Sequence, residues 1–197
     1  MSGAKFDAIL GLLRERDDVH TPDISGTYGN IYIPAGAMIP DDTNGALPDT
    51  VDNTNHSVDY YAFDGSTDES VFFSMAMPDD WNLGTVKMKF FWTGSSGCSN
   101  ADTVEWGVAA VAKSDDDTFD VAMGTAVTVN DAVDAGVEAD HRIITIASGL
   151  TIGGTPALGD LVDFKIYRDT SEDTMAEDAW LYGVQIQYTR GSQPSAW

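Results

Sequence analysis

The clearest strand pattern in the chain lies near its C-terminus, in Trp180-Leu181-Tyr182-Gly183-Val184-Gln185-Ile186-Gln187-Tyr188-Thr189. Bulky residues alternate in it with smaller or polar ones. Successive side chains of a β-strand point to opposite sides of the sheet, so this alternation predicts a strand with one dry and one wet face. We expect the dry face to pack in the core and to comprise Trp180, Tyr182, Val184, Ile186 and Tyr188.

Short runs of β-branched and aromatic residues, separated by turn residues, precede this stretch. They predict further strands at residues 31–33, 58–63, 71–77, 86–92, 104–112, 125–129, 142–147 and 161–168. Where the alternation is clear, one face is apolar and the other polar, which favours antiparallel pairing. The predicted fold class is therefore all-β: an antiparallel β-sandwich or jelly roll of about eight or nine strands.

The N-terminal part of the chain does not follow the strand pattern. Four apolar residues recur there at helical spacing and predict a short α-helix within an arm of residues 1–20: Phe6, Ile9, Leu10 and Leu13. Residues 21–56 are rich in Pro, Asp, Asn and Thr, which predicts an irregular extended loop. The sandwich domain then covers residues 57–190, and residues 191–197 form a tail.

The net charge of the chain limits the kinds of partner that it can bind. Its 197 residues carry 32 acidic and 10 basic side chains, a formal charge of −22. Such a surface repels phosphate backbones and anionic membranes, so we expect neither a nucleic-acid nor a membrane partner. Saline surroundings, display on a particle and an ordinary acidic cytosolic protein all remain open as explanations of the charge. The N-terminus lacks the pattern of a signal peptide, which predicts assembly in a cytoplasm.

The sequence predicts no catalytic site, no cofactor and no metal site. Its three histidines, His20, His56 and His141, stand apart from any nucleophile or metal-ligand motif. The acidic stretches Asp49–Asn55 and Asp115–Asp117 lack the spacing of a calcium-binding loop, which favours solvated turns. A carboxylate pair for glycoside hydrolysis can be drawn among so many acids, but that signal has almost no specificity.

Two features point to binding instead. The apolar face of the predicted helix suits an arm that docks on another protein. Trp81 follows Pro78-Asp79-Asp80 in a predicted turn and is the candidate ligand-facing aromatic residue, whereas Trp106 and Trp180 take strand positions expected in the core.

The order of several segments resembles a small all-β module of tailed-bacteriophage virion proteins. The segments are Phe72–Trp81, Val86–Thr93, Val104–Val111, Gly159–Asp169 and Leu181–Thr189. The opening residues Phe6–Glu15 also look like the N-terminal segment of phage structural proteins.

This resemblance implies a non-enzymatic, oligomeric component of a virion that is assembled in the host cytoplasm. A short docking helix without fibre repeats favours a capsid decoration protein, a cement or head-fibre protein. Its partners would be the major capsid protein, gripped through Phe6, Ile9, Leu10 and Leu13, and itself in a homotrimer. The alternative is a tail-associated receptor- or carbohydrate-binding module that binds a host glycan through Trp81.

Overall fold

The structure is a computed structural model that describes residues 28–134 and 140–191. The predicted helical arm, with Phe6, Ile9, Leu10 and Leu13, lies outside the described residues, as do residues 192–197. Within the described residues the chain forms eleven strands and a short 3-10 helix (Ala35–Ala37). The strands are β1 (Tyr28–Pro34), β2 (Ile39–Pro40), β3 (Leu47–Asp52), β4 (Ser57–Phe63), β5 (Ser70–Ala76), β6 (Lys87–Gly94), β7 (Thr103–Lys113), β8 (Val127–Ala132), β9 (Arg142–Thr145), β10 (Leu161–Arg168) and β11 (Ala179–Thr189).

These strands form two antiparallel sheets, which confirms the predicted all-β sandwich. The larger sheet has the order β3-β4-β11-β6-β9, and β1 pairs with the second half of β11. The smaller sheet has the order β2-β5-β10-β7-β8. No helix among the described residues has the length and hydropathy needed to cross a membrane.

The core lies between the inner faces of the two sheets. Trp106 is fully buried near its centre and contacts Phe63, Phe90 and Trp92 through ring pairs 5.1–6.1 Å apart. Three alternate residues of β10 are equally buried: Val162, Phe164 and Ile166. Buried and less buried residues therefore alternate along β10, as expected for a strand with one face in the core.

The predicted strand at residues 31–33 is confirmed as part of β1, whereas the irregular loop predicted over residues 21–56 is wrong where β2 and β3 form. Strand β1 joins the larger sheet, β2 the smaller one, and β3 forms an edge of the larger sheet. Pro34, Pro40 and Pro48 lie within these strands. Each of the three strands pairs on one side only, and an edge strand tolerates proline because its outward N–H groups need no partner in the sheet.

Candidate functional site

A β-bulge in β11 decides what the larger sheet presents on its outer face. Leu181 pairs with Trp92 and Gly183 pairs with Phe91, which leaves Tyr182 as an extra residue. Before the bulge Leu181 points into the core; after it Val184 does. An extra residue shifts the alternation by one position and redirects the side chains.

The predicted core face of β11 is therefore right for three of its five residues. Val184, Ile186 and Tyr188 are buried as expected, but Trp180 and Tyr182 lie on the outer face and are half-buried. The sequence contained one signal of this change: an isolated glycine inside a strand, here Gly183, often marks a bulge.

Trp180 and Tyr182 begin a connected set of aromatic rings on the outer face. The ring of Trp180 stacks on Tyr60 of β4, with centroids 4.5 Å apart and planes at 27°. Tyr60 also contacts the edge of Tyr182 at 6.3 Å. These contacts place three rings from two neighbouring strands in one group.

The set continues towards the opposite edge of the sheet. His141, just before β9, lies 6.2 Å from Tyr182 and stacks on Phe91 of β6 at 5.8 Å. Phe91 in turn meets the edge of Tyr32 of β1 at 5.5 Å. We call the whole set the aromatic face: Tyr32, Tyr60, Phe91, His141, Trp180 and Tyr182.

Five of the six side chains of the aromatic face are at least partly exposed to solvent. Tyr32 is 50 % exposed, His141 is exposed, and Phe91, Trp180 and Tyr182 are half-buried. Tyr60 is 6 % exposed and lies beneath the others as a support. A contiguous group of large aromatic side chains at a protein surface is typical of an interaction or ligand-binding site.

Hydrogen bonds fix two of the phenols. Tyr32 donates to the carbonyl oxygen of Tyr182 at 3.3 Å, and Tyr60 donates to the Asp49 carboxylate at 3.2 Å. Burial and the bond to Asp49 raise the pKa of Tyr60 to about 12. The Tyr60 phenol is therefore protonated at neutral pH and keeps its orientation.

Polar side chains continue the outer face along the same strands. Register places Tyr32, Gln185, Lys89 and Thr145 in one row across β1, β11, β6 and β9. The next row holds Asn30, Gln187 and Lys87. We call Asn30, Lys87, Lys89, Thr145, Gln185 and Gln187 the polar rows.

Trp81 does not have the exposure that the sequence predicted. It is 3 % exposed, and its indole N–H donates to the carbonyl oxygen of Gly84 at 3.1 Å. Its backbone forms a bridge with Arg190, so the turn folds back onto the sandwich and buries the ring. The prediction that Trp81 is exposed is wrong, and the outer face of the larger sheet carries the open aromatic residues instead.

A second depression lies on the outer face of the smaller sheet. It has a volume of about 410 Å³ and is lined by Asp41, Asp68, Glu69, Lys165 and Tyr167, among others. All three carboxylates already accept hydrogen bonds within the chain. Asp41 accepts from Ser70 and Thr43, Asp68 from Thr170, and Glu69 from the backbone N–H of Asp64. The depression is therefore the weaker candidate for a ligand.

The remaining sequence candidates do not gather into a centre. His56 lies in the exposed turn between β3 and β4, far along the chain from His141. Among residues 28–134 and 140–191, no group of three or more His, Cys, Asp or Glu side chains is arranged to hold a metal ion.

Comparisons with known proteins add two observations. No family model matches the chain, and no curated protein matches it. A family 11 carbohydrate-binding module from Clostridium thermocellum is similar in structure, with a TM-score of 0.45, 11 % identity, and coverage of 85 % of this chain and 98 % of that one. A family 35 carbohydrate-binding module from the same organism has a TM-score of 0.48 and 11 % identity, and the match covers 80 % of this chain and 97 % of that one. Likeness at this level does not decide what this chain binds.

Proposed function

We propose that this chain is a non-catalytic module that binds a saccharide on the aromatic face of its larger sheet. The observation that carries the proposal is the connected set of rings from Tyr60 to Tyr32, which rests on the buried Tyr60, is otherwise partly exposed to solvent and is continuous with the polar rows. A site of this kind combines flat apolar surface with a few oriented polar groups.

The chemistry of a sugar ring matches both halves of this surface. One side of a pyranose presents C–H groups, which pack on the electron-rich face of an aromatic ring. Its hydroxyl groups need hydrogen-bond partners at the rim, and an amide side chain offers both donor and acceptor. Gln185 supplies such an amide beside Tyr32, and Gln187, whose amide N–H donates to Asn30 at 3.2 Å, supplies another in the next row.

The length of the surface suits a chain of sugars rather than a single ring. Trp180 and Gln187 are seven residues apart on β11, which corresponds to roughly 23 Å of strand. The core fixes the strands underneath, because Leu181, Val184 and Ile186 of β11 are fully buried. The face is therefore prepared before a ligand arrives, which lowers the entropic cost of binding.

A purely apolar protein contact is the main competing explanation of an exposed aromatic cluster. The polar rows argue against it, because an interface core is depleted in charged residues, whereas Lys87 and Lys89 stand beside the rings. The predicted capsid decoration role stays a prediction, since its docking residues Phe6, Ile9, Leu10 and Leu13 lie outside the described residues.

The proposal is tested by screening the full chain on a glycan array and then by affinity electrophoresis in the polysaccharides that it binds. We expect retention by at least one polysaccharide, and we expect Tyr32→Ala and Trp180→Ala to weaken it about tenfold. Phe119→Ala is the matched control, because Phe119 is 87 % exposed and lies beside Lys113 of the smaller sheet.

Three results would overturn the proposal. They are no binding to any saccharide, equal loss in the Phe119→Ala control, and sedimentation data showing that Tyr32→Ala dissociates an oligomer without any effect on glycans. The last result would assign the aromatic face to self-association.

A further inference from the structure

We propose that the saccharide bound on the aromatic face is acidic, and that Lys89 and Lys87 recognise its negative charge. This inference rests on the proposed function and names the ligand class of the same site. It goes beyond it because aromatic stacking and hydroxyl contacts by themselves do not distinguish neutral from charged sugars.

The first argument is position. Lys89 pairs with Gln185, which pairs with Tyr32, so the lysine lies two strands from that ring in the same row. Neighbouring strands are about 4.8 Å apart, and Lys89 precedes Phe91 by two residues on the same side of β6. The backbone of Lys89 is thus about 10 Å from that of Tyr32 and about 7 Å from that of Phe91, a span that a short chain of sugars covers. Lys87, Lys89, Gln185, Gln187 and Thr145 also line one shallow dent, so the two lysines and the amides share a surface.

The second argument is that the other basic residues of the described chain have partners or positions away from the aromatic face. The described residues contain seven Lys and Arg side chains. Three of these are held in salt bridges: Lys113 with Asp163, Arg168 with Asp173 and Arg190 with Asp80. Arg142 is buried, and Lys165 lies on the smaller sheet over Phe72 and Tyr167.

Lys87 and Lys89 are what remains, and they are neighbours. Neither forms a salt bridge within the described part of the chain, although the whole chain has a charge of −22. Two cations without a carboxylate partner, side by side on the face that carries the aromatic rings, form a local site for an anion.

The third argument is the polarity of the face along its strands. At the Tyr60 end the Asp49 carboxylate lies 3.2 Å from the Tyr60 hydroxyl group, and at the other end stand the lysines. An acidic saccharide would place its charged groups towards Lys89 and Lys87. Lysine binds as a point charge rather than through a bidentate fork, so the amides of Gln185 and Gln187 would complete the hydrogen bonding.

The overall negative charge does not cancel this local attraction. At 0.15 M salt the Debye length is about 8 Å, so carboxylates beyond that distance are largely screened while a lysine in contact with the ligand is not. The affinity for a small acidic ligand is therefore set by its immediate neighbours.

The test compares trigalacturonate with its methyl ester, which has the same ring chain without the charge, at 0.15 M salt on the full chain. A sulfated trisaccharide distinguishes carboxylate from sulfate as the source of the charge. We expect the acidic trisaccharides to bind at least about fivefold more tightly than the ester, the scale of a partly exposed ion pair. The double substitution Lys87→Gln/Lys89→Gln should remove this preference, and Lys165→Gln, which changes a lysine over Phe72 and Tyr167 on the other sheet, should keep it.

The outcomes separate the two proposals. Equal binding of acid and ester overturns the acidic ligand, and a preference that survives the double substitution overturns recognition by Lys87 and Lys89. Saccharide binding stands in either case. Binding of no saccharide in the array and in this series overturns both.

Discussion

Tyr32 of β1 and Phe91 of β6 meet edge to face, with ring centroids 5.5 Å apart, although β11 runs between their strands. They can meet because the residue between them is Gly183. A Cβ at Gly183 would lie 2.6 Å from the Tyr32 hydroxyl oxygen and 2.6 Å from the Ile33 carbonyl oxygen. The missing side chain thus lets the Tyr32 ring cross β11 and continue the aromatic face.

Gly183→Ala should disconnect the two rings. The new methyl group has no room, so either Tyr32 must leave its position or β1 must shift, at a cost of about 1–3 kcal/mol in the free energy of unfolding. Urea denaturation measures that cost, and glycan binding should fall together with it. Gly36→Ala is the control, because its nearest neighbour is the flexible Asp59 carboxylate at 3.1 Å. A Gly183→Ala variant as stable as the Gly36→Ala variant would contradict this description of the crossing.

Arg168 should be among the most costly charged residues to replace. Its guanidinium is fully buried, pairs with Asp173, and donates to the carbonyl oxygens of Phe63 and Glu177 at 3.1 and 2.8 Å. It thereby holds the segment that leads into Trp180. Arg168→Met leaves a buried carboxylate without its cation and should cost about 3–5 kcal/mol in unfolding free energy.

The matched control is Arg190→Gln. Arg190 pairs with Asp80 at 3.2 Å, but its side chain is 41 % exposed, so the loss should be at most about 1 kcal/mol. Urea denaturation of both variants gives the comparison. Equal losses would show that the burial of Arg168 does not set its contribution.

Trp81→Ala separates the sequence-based candidate site from the aromatic face. Since Trp81 is buried, its removal should lower the unfolding free energy by about 3–5 kcal/mol and leave the glycan affinity of the folded fraction unchanged. Tyr32→Ala should do the opposite, with a small effect on stability and a large one on affinity. Calorimetric titration on the folded fraction checks both, and a selective loss of affinity in Trp81→Ala would restore Trp81 as a ligand contact.

Two neighbouring carboxylates should respond to pH with opposite signs. Burial raises the pKa of Glu69, so the charged form is disfavoured in the folded protein and its contribution to stability is lost as pH rises through that pKa. Glu69→Gln should therefore raise the melting temperature at pH 7. The gain should vanish below about pH 4, where the carboxyl is protonated in both states.

Asp64 is the counterpart. Hydrogen bonds from the hydroxyl and N–H groups of Ser66 lower its pKa, so its contribution is present at neutral pH and is lost as pH falls through the lowered pKa. Asp64→Asn should lower the melting temperature at pH 7 and matter less in acid. Thermal melts at pH 7 and pH 3.5 measure both variants, and shifts of the same sign at pH 7 would refute the argument.

The fold followed from the sequence wherever a strand kept a strict period of two. The alternation in residues 161–168 matches the bounds of β10 and its buried residues. Strands β2 and β3 escaped prediction because Pro40 and Pro48 signal a loop, and only the tertiary fact that both are edge strands makes proline acceptable there.

The candidate site was harder to predict because it depends on a break in the pattern. An unbroken alternation places Trp180 and Tyr182 in the core, whereas the bulge at Tyr182 turns both outward. The register of β1 against β11 brings Tyr32 to the same face, and no local pattern encodes a pairing between residues so distant in the chain.

The most direct test of saccharide binding is an NMR titration of the labelled full chain with the glycan that the array selects. Binding on the aromatic face predicts chemical-shift changes concentrated at Tyr32, Phe91, Trp180, Tyr182 and Gln185. Changes confined to Lys165 and Tyr167 on the smaller sheet, or no changes at saturating glycan, would contradict it.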